Sequence, residues 1–222
     1  MTLRRIAGEG WLALVGGGEF SFGETREADA AWLPHAEDPI GFLPTASGSI
    51  DYAVHLGSYL EDEFGRGLEA IPVYRRRDAR RGRNVERVEG VRSLYIGGGV
   101  TDHLLGELAE TPVLEAIRRK IVDGGLVVAI AAAAQAAGAV ARSLLTRQPV
   151  AGMGWVAAAA FEPNFLPGQD RRLRELVAVP GIEVGLGLSA GSALLLGPGG
   201  VVETCGEIYR LTDPEGEAEP FS

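Results

Sequence analysis

Gly187-Leu188-Ser189-Ala190-Gly191 matches G-x-S-x-G, the pattern in which a strand-to-helix corner aims a nucleophilic hydroxyl into a cleft. That corner needs a helix directly after the serine. The chain instead continues through Ser192 to Leu196 and then Gly197-Pro198-Gly199-Gly200, which reads as a strand and a turn. A second hydroxyl, Ser47, sits in Pro44-Thr45-Ala46-Ser47-Gly48 after a short apolar run. The three histidines are scattered, with His35 in a loop and His55 on a helix. Only His103, close behind Gly97-Gly98-Gly99, begins a helix at a strand end where ligands collect. A hydrolase built from these parts would use Ser189 or Ser47 as nucleophile and His103 as base. Their oxygen and nitrogen would have to approach to about 3 Å.

Other chemistries fall away on residue type. No Cys/His spacing fits zinc, so no metal is expected. Gly16-Gly17-Gly18 lacks the lysine and serine of a phosphate loop and the spacing of a dinucleotide fingerprint, so no cofactor is expected either. Glu19, directly after it, is placed to line a cleft as an acceptor. A formal net charge of −9 opposes a nucleic-acid or anionic-membrane partner. The local exception is Arg75 to Arg83, RRRDARRGR, six arginines and one aspartate in a loop-like segment that could hold an anion. No apolar run reaches the length of a membrane span. The single cysteine, Cys205, excludes an internal disulfide and points to reducing cytoplasm. Trp32, Trp155 and Phe161 suit packing at least as well as stacking on a ligand. Homodimerisation is common among α/β proteins, but no stretch marks an interface.

The elements that must position these residues alternate. Strands are expected at Gly10 to Gly16, Ile40 to Leu43, Leu68 to Tyr74, Val91 to Ile96 and Leu126 to Ile130. Between them, helices run from a Ser49 or Asp51 cap to Phe64, over Asn84 to Glu89, from Thr101 or Asp102, and from Thr111-Pro112 to Val122. Such alternation gives a mostly parallel sheet covered on both faces, with ligands at the strands' C-terminal edge. Both glycine triplets fall there. So does the stretch Gly125 to Gly138, GLVVAIAAAAQAAG, where an apolar strand passes straight into an alanine helix expected over Ala131 to Ala141. Beyond Pro149, a helix from about Gln169 to Val177 is set among short strands expected to pair antiparallel. Residues 1–212 read as one domain, and the acidic 213–222 as a flexible tail.

PTASG, LYIGGGVTDHLLGEL, GLVVAIAAAAQAAG and PGIEVGLGLSAGSALLLGPGGVVETCGEIY, in this order and spacing, resemble the dipeptidase E and cyanophycinase family of serine peptidases. The resemblance implies the class I glutamine amidotransferase-like fold: a flavodoxin-like three-layer α/β/α arrangement with a mostly parallel central sheet and short antiparallel strands near the C-terminus. In the family, the corner after the fifth strand carries the nucleophilic serine. Laid on this chain that serine falls on Ala133, within a run from Ala131 to Ala134 that is all alanine.

The family's basic histidine falls on Asn164, and no Asp or Glu lies between Ala134 and Phe161 to serve as its acid. A neutral amide cannot take the serine proton. The resemblance therefore implies a catalytically degenerate homologue that binds or regulates. Gly98 and Gly99, which lie beside the nucleophile in the family, would keep the cleft, with Val100 and Thr101 replacing the family's polar pair after them. Gln135, His103, Arg75 and Arg76 complete the binding candidates, for a peptide or another carboxylate-bearing ligand.

Overall fold

The computed structural model describes residues 3–221. Its centre is a seven-stranded sheet in the order Val202–Cys205, Ala193–Leu196, Trp11–Val15, Leu126–Ile130, Ser93–Ile96, Ile40–Leu43, Leu68–Ala70. The last five of these run parallel, and the Ala193–Leu196 and Val202–Cys205 hairpin closes one side antiparallel. Trp11–Val15 illustrates why such a strand forms. Leu12 and Leu14 enter one core with Val127 and Ala129, whereas Ala13 and Val15 enter the other with Val128 and Ile130. The two-residue period sends alternate side chains to opposite faces, and both faces are apolar because both are covered.

Helices Arg26–Trp32 and Asp51–Phe64 supply Trp32, Leu56 and Leu60 to one face; Thr101–Leu108 and Pro112–Val122 supply Leu104, Leu108, Ile117 and Ile121 to the other. This is the flavodoxin-like α/β/α fold. Trp32, Trp155 and Phe161 are all fully buried. Among the described residues, no helix is long and apolar enough to cross a membrane.

Several local expectations change. The closing third builds a second, six-stranded sheet ordered Glu219–Pro220, Ile208–Leu211, Val184–Leu188, Ala159–Pro163, Val140–Arg142, Pro149–Ala151. Its centre is parallel, with Ala159 opposite Val184 and Pro163 opposite Leu188. The alanine helix spans only Ala132–Ala136, because tertiary hydrogen bonds outbid its propensity. The carbonyls of Ala136, Ala137 and Gly138 accept from Met153, Trp155 and Gly154, and the chain turns into the strand Val140–Arg142. The arginine segment is helical, Arg76–Ala79 and then Gly82–Gly90. The helix Asp51–Phe64 starts after Ile50, and Ser49 Oγ accepts from its first N–H, that of Asp51, at 3.2 Å, whereas Asp51 lies inside the helix. Thr101–Leu108 has no side-chain cap at Val100. The acidic tail is docked: Glu219–Pro220 pairs with Tyr209 and Arg210, and Phe221 N–H donates to Ile208 O.

Candidate functional site

Leu126–Ile130 ends at Ala131, whose backbone holds φ 51° and ψ −110°. A non-glycine residue adopts that conformation only where its surroundings force it. Here its N–H donates to Val15 O at 2.9 Å, and the helix Ala132–Ala136 begins on the next residue. Strand, strained corner and helix are the geometry of a nucleophile elbow. The corner residue is therefore Ala131, two positions before the expected Ala133. Ala133 lies inside the helix at 1% exposure, while Ala131 is half-buried and packs against the cluster containing Phe20, Phe42 and Tyr95. Four consecutive alanines conceal the register. The available signal is Ile130, the last β-branched residue of the strand.

Gly98 backs directly onto this corner, since a Cβ built on it would stand 3.4 Å from the Ala131 methyl. Gly99 has φ 147°, and a Cβ there would meet the Ala46 carbonyl carbon at 2.4 Å. The loop after Ile40–Leu43 thus presses on the loop after Ser93–Ile96, a contact sealed by Val100 N–H donating to Ala46 O at 3.0 Å. Just after the second-sheet strand Ala159–Pro163, Asn164 stands in the left-handed region at φ 51°, and its N–H donates to Gly16 O at 2.7 Å. Its amide lies over Gly17, where a Cβ would come within 2.4 Å of Oδ1. Ala131 and Asn164 are therefore tied to consecutive carbonyls at the end of Trp11–Val15. Gly191 N–H joins them by donating to Gly17 O at 2.9 Å.

Gln135 is buried beneath the corner at 7% exposure. Its Oε1 accepts from Thr101 Oγ1 at 3.0 Å, and its Nε2 donates to Glu162 Oε2 at 3.2 Å. Arg172 reaches the other Glu162 oxygen at 3.4 Å. Burial pushes the Glu162 carboxyl above the ordinary range, against the pull of Arg172, Arg142 and the Gln135 hydrogen bond. Gln135 is therefore a strut between helix and strand. Glu162 is an acid one residue beyond the stretch, Ala134 to Phe161, that holds none; a carboxylate inside the otherwise apolar Ala-Ala-Phe-Glu-Pro strand is the signal that marks it.

The remaining candidates do not converge on Ala131. His103 is exposed. Ser47 Oγ lies 3.1 and 3.2 Å from the Pro44 and Ser49 carbonyls, either of which can accept its one proton, and Ser189 Oγ is buried without a partner among the described residues. Among the described residues no serine is hydrogen-bonded to a histidine; His35 stacks on Trp11 at 3.8 Å and meets Glu203. Arg76 is held on the far end of helix Thr101–Leu108, its N–H on the Glu107 carboxylate and its guanidinium on Gly106 O and Glu110. Arg81 pairs with Asp78 at 3.1 Å, and Arg75, although exposed, gives its N–H to the same carboxylate. Arg76, Arg77 and Arg81 are thus tied to the carboxylates of Glu110 and Asp78, and the run belongs to the helices rather than to Gly98 and Gly99.

Beside the Gly16–Gly18 loop, a cavity of about 610 Å³ is lined by Glu19, Phe20, Arg26, Tyr52, His55 and Tyr59 among others. Glu19, expected to line a cleft, lines this one. Behind it Asp29 is buried, accepting from Thr25, Trp32 and Tyr59. Among the described residues no group of three or more His, Cys, Asp or Glu could hold a metal ion.

The family model of Peptidase family S51 matches residues 12–201. Among solved structures, a peptidase from an acI-B1 Actinobacterium is 25% identical with a TM-score of 0.72, and the match covers 96% of this chain and 97% of that one. A candidate peptidase E protein from Listeria monocytogenes EGD-e shares the fold at 17% identity and a TM-score of 0.65, covering 89% of this chain and 98% of that one. No curated protein matches the chain.

Proposed function

From the premise that the chain belongs to peptidase family S51, we propose that it is a degenerate member, a binding or regulatory homologue that keeps the corner and cleft without the nucleophile. The observation that carries this reading is Ala131: the residue in elbow geometry bears a methyl group. Asn164, just after the second-sheet strand Ala159–Pro163, supports it, since an amide has no acid-base capacity. Loss of a nucleophile alone typically lowers kcat about a million-fold, leaving roughly a thousand-fold over water from binding and backbone donors. The ligand we propose is a short peptide or another carboxylate-bearing molecule. The cavity beside Gly16–Gly18 favours a peptide, whose N–H groups Glu19 and Glu63 can accept along aromatic walls, over a bare carboxylate, because Arg26 is already paired with Glu63 at 3.0 Å. The single cysteine supports a reducing, cytoplasmic setting.

A fluorophosphonate probe tests the proposal. The purified chain is expected to stay unlabelled, and Ala131→Ser with Asn164→His is the variant in which labelling is expected to appear. Stoichiometric labelling of the parent chain would overturn the reading. If Ser189→Ala or Ser47→Ala then abolished that labelling, the nucleophile would be a relocated serine.

A further inference from the structure

Four arginines converge on a groove of about 1040 Å³ between the turn after Val140–Arg142 and the helix Arg171–Val177. Arg142, Arg147, Arg171 and Arg172 line it with Thr146 and Gln148, and Glu175 is the one carboxylate among the lining residues. That carboxylate is already shared, with Arg171 Nε at 2.9 Å from one oxygen and Arg142 Nε at 3.4 Å from the other. Arg172 makes one 3.4 Å contact with Glu162 and is otherwise open to solvent. Among the described residues the Arg147 guanidinium meets no carboxylate.

Three features make this more than a solvated charge run. The chain has a net charge of −9, so a concave surface with this cationic excess opposes the sign of the whole molecule. Arg171 and Arg172 open their helix, where the partial positive charge of the backbone disfavours cations. Arg147 is presented from a left-handed backbone at φ 59°, fixed by its N–H donating to Ser143 O and by Ser143 Oγ donating to Asp102. At the helix start Arg171 is compensated only through the shared Glu175 and Arg172 only through one 3.4 Å contact with Glu162, so an anion in the groove would complete what these carboxylates leave unpaired.

We propose that this groove binds a small multivalent oxyanion, a molecule carrying two or more phosphate or carboxylate groups. The planar guanidinium fork matches either group bidentately. Among the described residues Arg147 is the contact with no carboxylate partner and Arg172 has a single 3.4 Å one, while Arg142 and Arg171 stand across Glu175 to take a second anionic group. The site is separate from Ala131 and does not depend on the peptidase-homologue reading.

Calorimetric titration of the full chain with tripolyphosphate, and separately with citrate, tests it and tells phosphate from carboxylate. Saturable binding of at least one anion is expected, weakening as salt is raised from about 50 to about 500 mM. Arg147→Ala with Arg171→Ala should weaken it about ten-fold or more, the loss of charge-assisted hydrogen bonds. Arg75→Ala with Arg83→Ala should leave it unchanged. Arg147→Gln alone, at an exposed turn, keeps the test valid should the double variant fail to fold. The proposal is overturned if neither anion binds, if folded groove variants bind as the parent does, or if the Arg75 and Arg83 variant loses binding.

Discussion

Ala131 carries a methyl in a conformation that costs a non-glycine residue on the order of 1–3 kcal/mol. Glycine would remove most of that strain but release about 0.5–1 kcal/mol of unfolded-chain entropy. Ala131→Gly should therefore raise stability by about 1 kcal/mol, read as an increase in the urea midpoint. A decrease would mean that the corner is unstrained. Glu162 makes a second prediction at this scale. Burial raises its carboxyl, as it does that of Asp29, so the folded chain holds these protons more tightly than the unfolded one. The stability they contribute is greatest in acid and falls as pH climbs from the ordinary carboxylate value through the raised one. Glu162→Gln removes one of the two groups, so its stability relative to the parent should rise as pH climbs above the ordinary glutamate value of about 4.3 in paired denaturation curves. A flat difference would contradict the burial argument. These residues are only partly legible in sequence, because identical neighbours hide a register and a carboxylate reveals its burial only when its strand has been placed.

Elements are legible where a local signal suffices. Ile40–Leu43, Leu126–Ile130, Ala193–Leu196 and Pro112–Val122 lie where apolar runs and the Thr-Pro opening put them. Thr111 caps its helix by accepting from Leu114 N–H at 3.3 Å, and its hydroxyl donates to Leu108 O at 2.7 Å. Thr111→Ala should cost about 1–2 kcal/mol by thermal denaturation, and Thr111→Ser should recover most of it. The second sheet is illegible for the opposite reason. Val140–Arg142 is three residues long and follows an alanine run that any local rule extends as helix; Gly138 and Ala159, twenty-one residues apart, decide otherwise through a backbone that meets closely enough to exclude a Cβ.

At the level of the whole molecule, the acidic tail is ordered although its composition suggests fraying, because composition says nothing about docking. Glu219–Pro220 extends the second sheet, and Phe221 packs on the main core. A chain ending at Glu217 should lose about 1–3 kcal/mol, since it surrenders two strand pairings and a half-buried aromatic. Hydrogen exchange at Ile208–Leu211 should accelerate with it. Unchanged exchange there would show that the tail contributes nothing.

The hairpin on the parallel strands carries one more consequence. Trp11–Val15 is flanked on one side by Leu126–Ile130 and on the other by Ala193–Leu196, so this strand, made first of the three, waits for partners that follow much later in the chain. Closing loops this long precedes any reward from the contacts they bring, which makes folding slow for a chain of this size. A ribosome-tethered chain stopped short of residue 190 would hold Ala131 and Asn164 but lack the Gly191 contact on Gly17, so the glycine loop would emerge with one wall missing until Gly191 had been added.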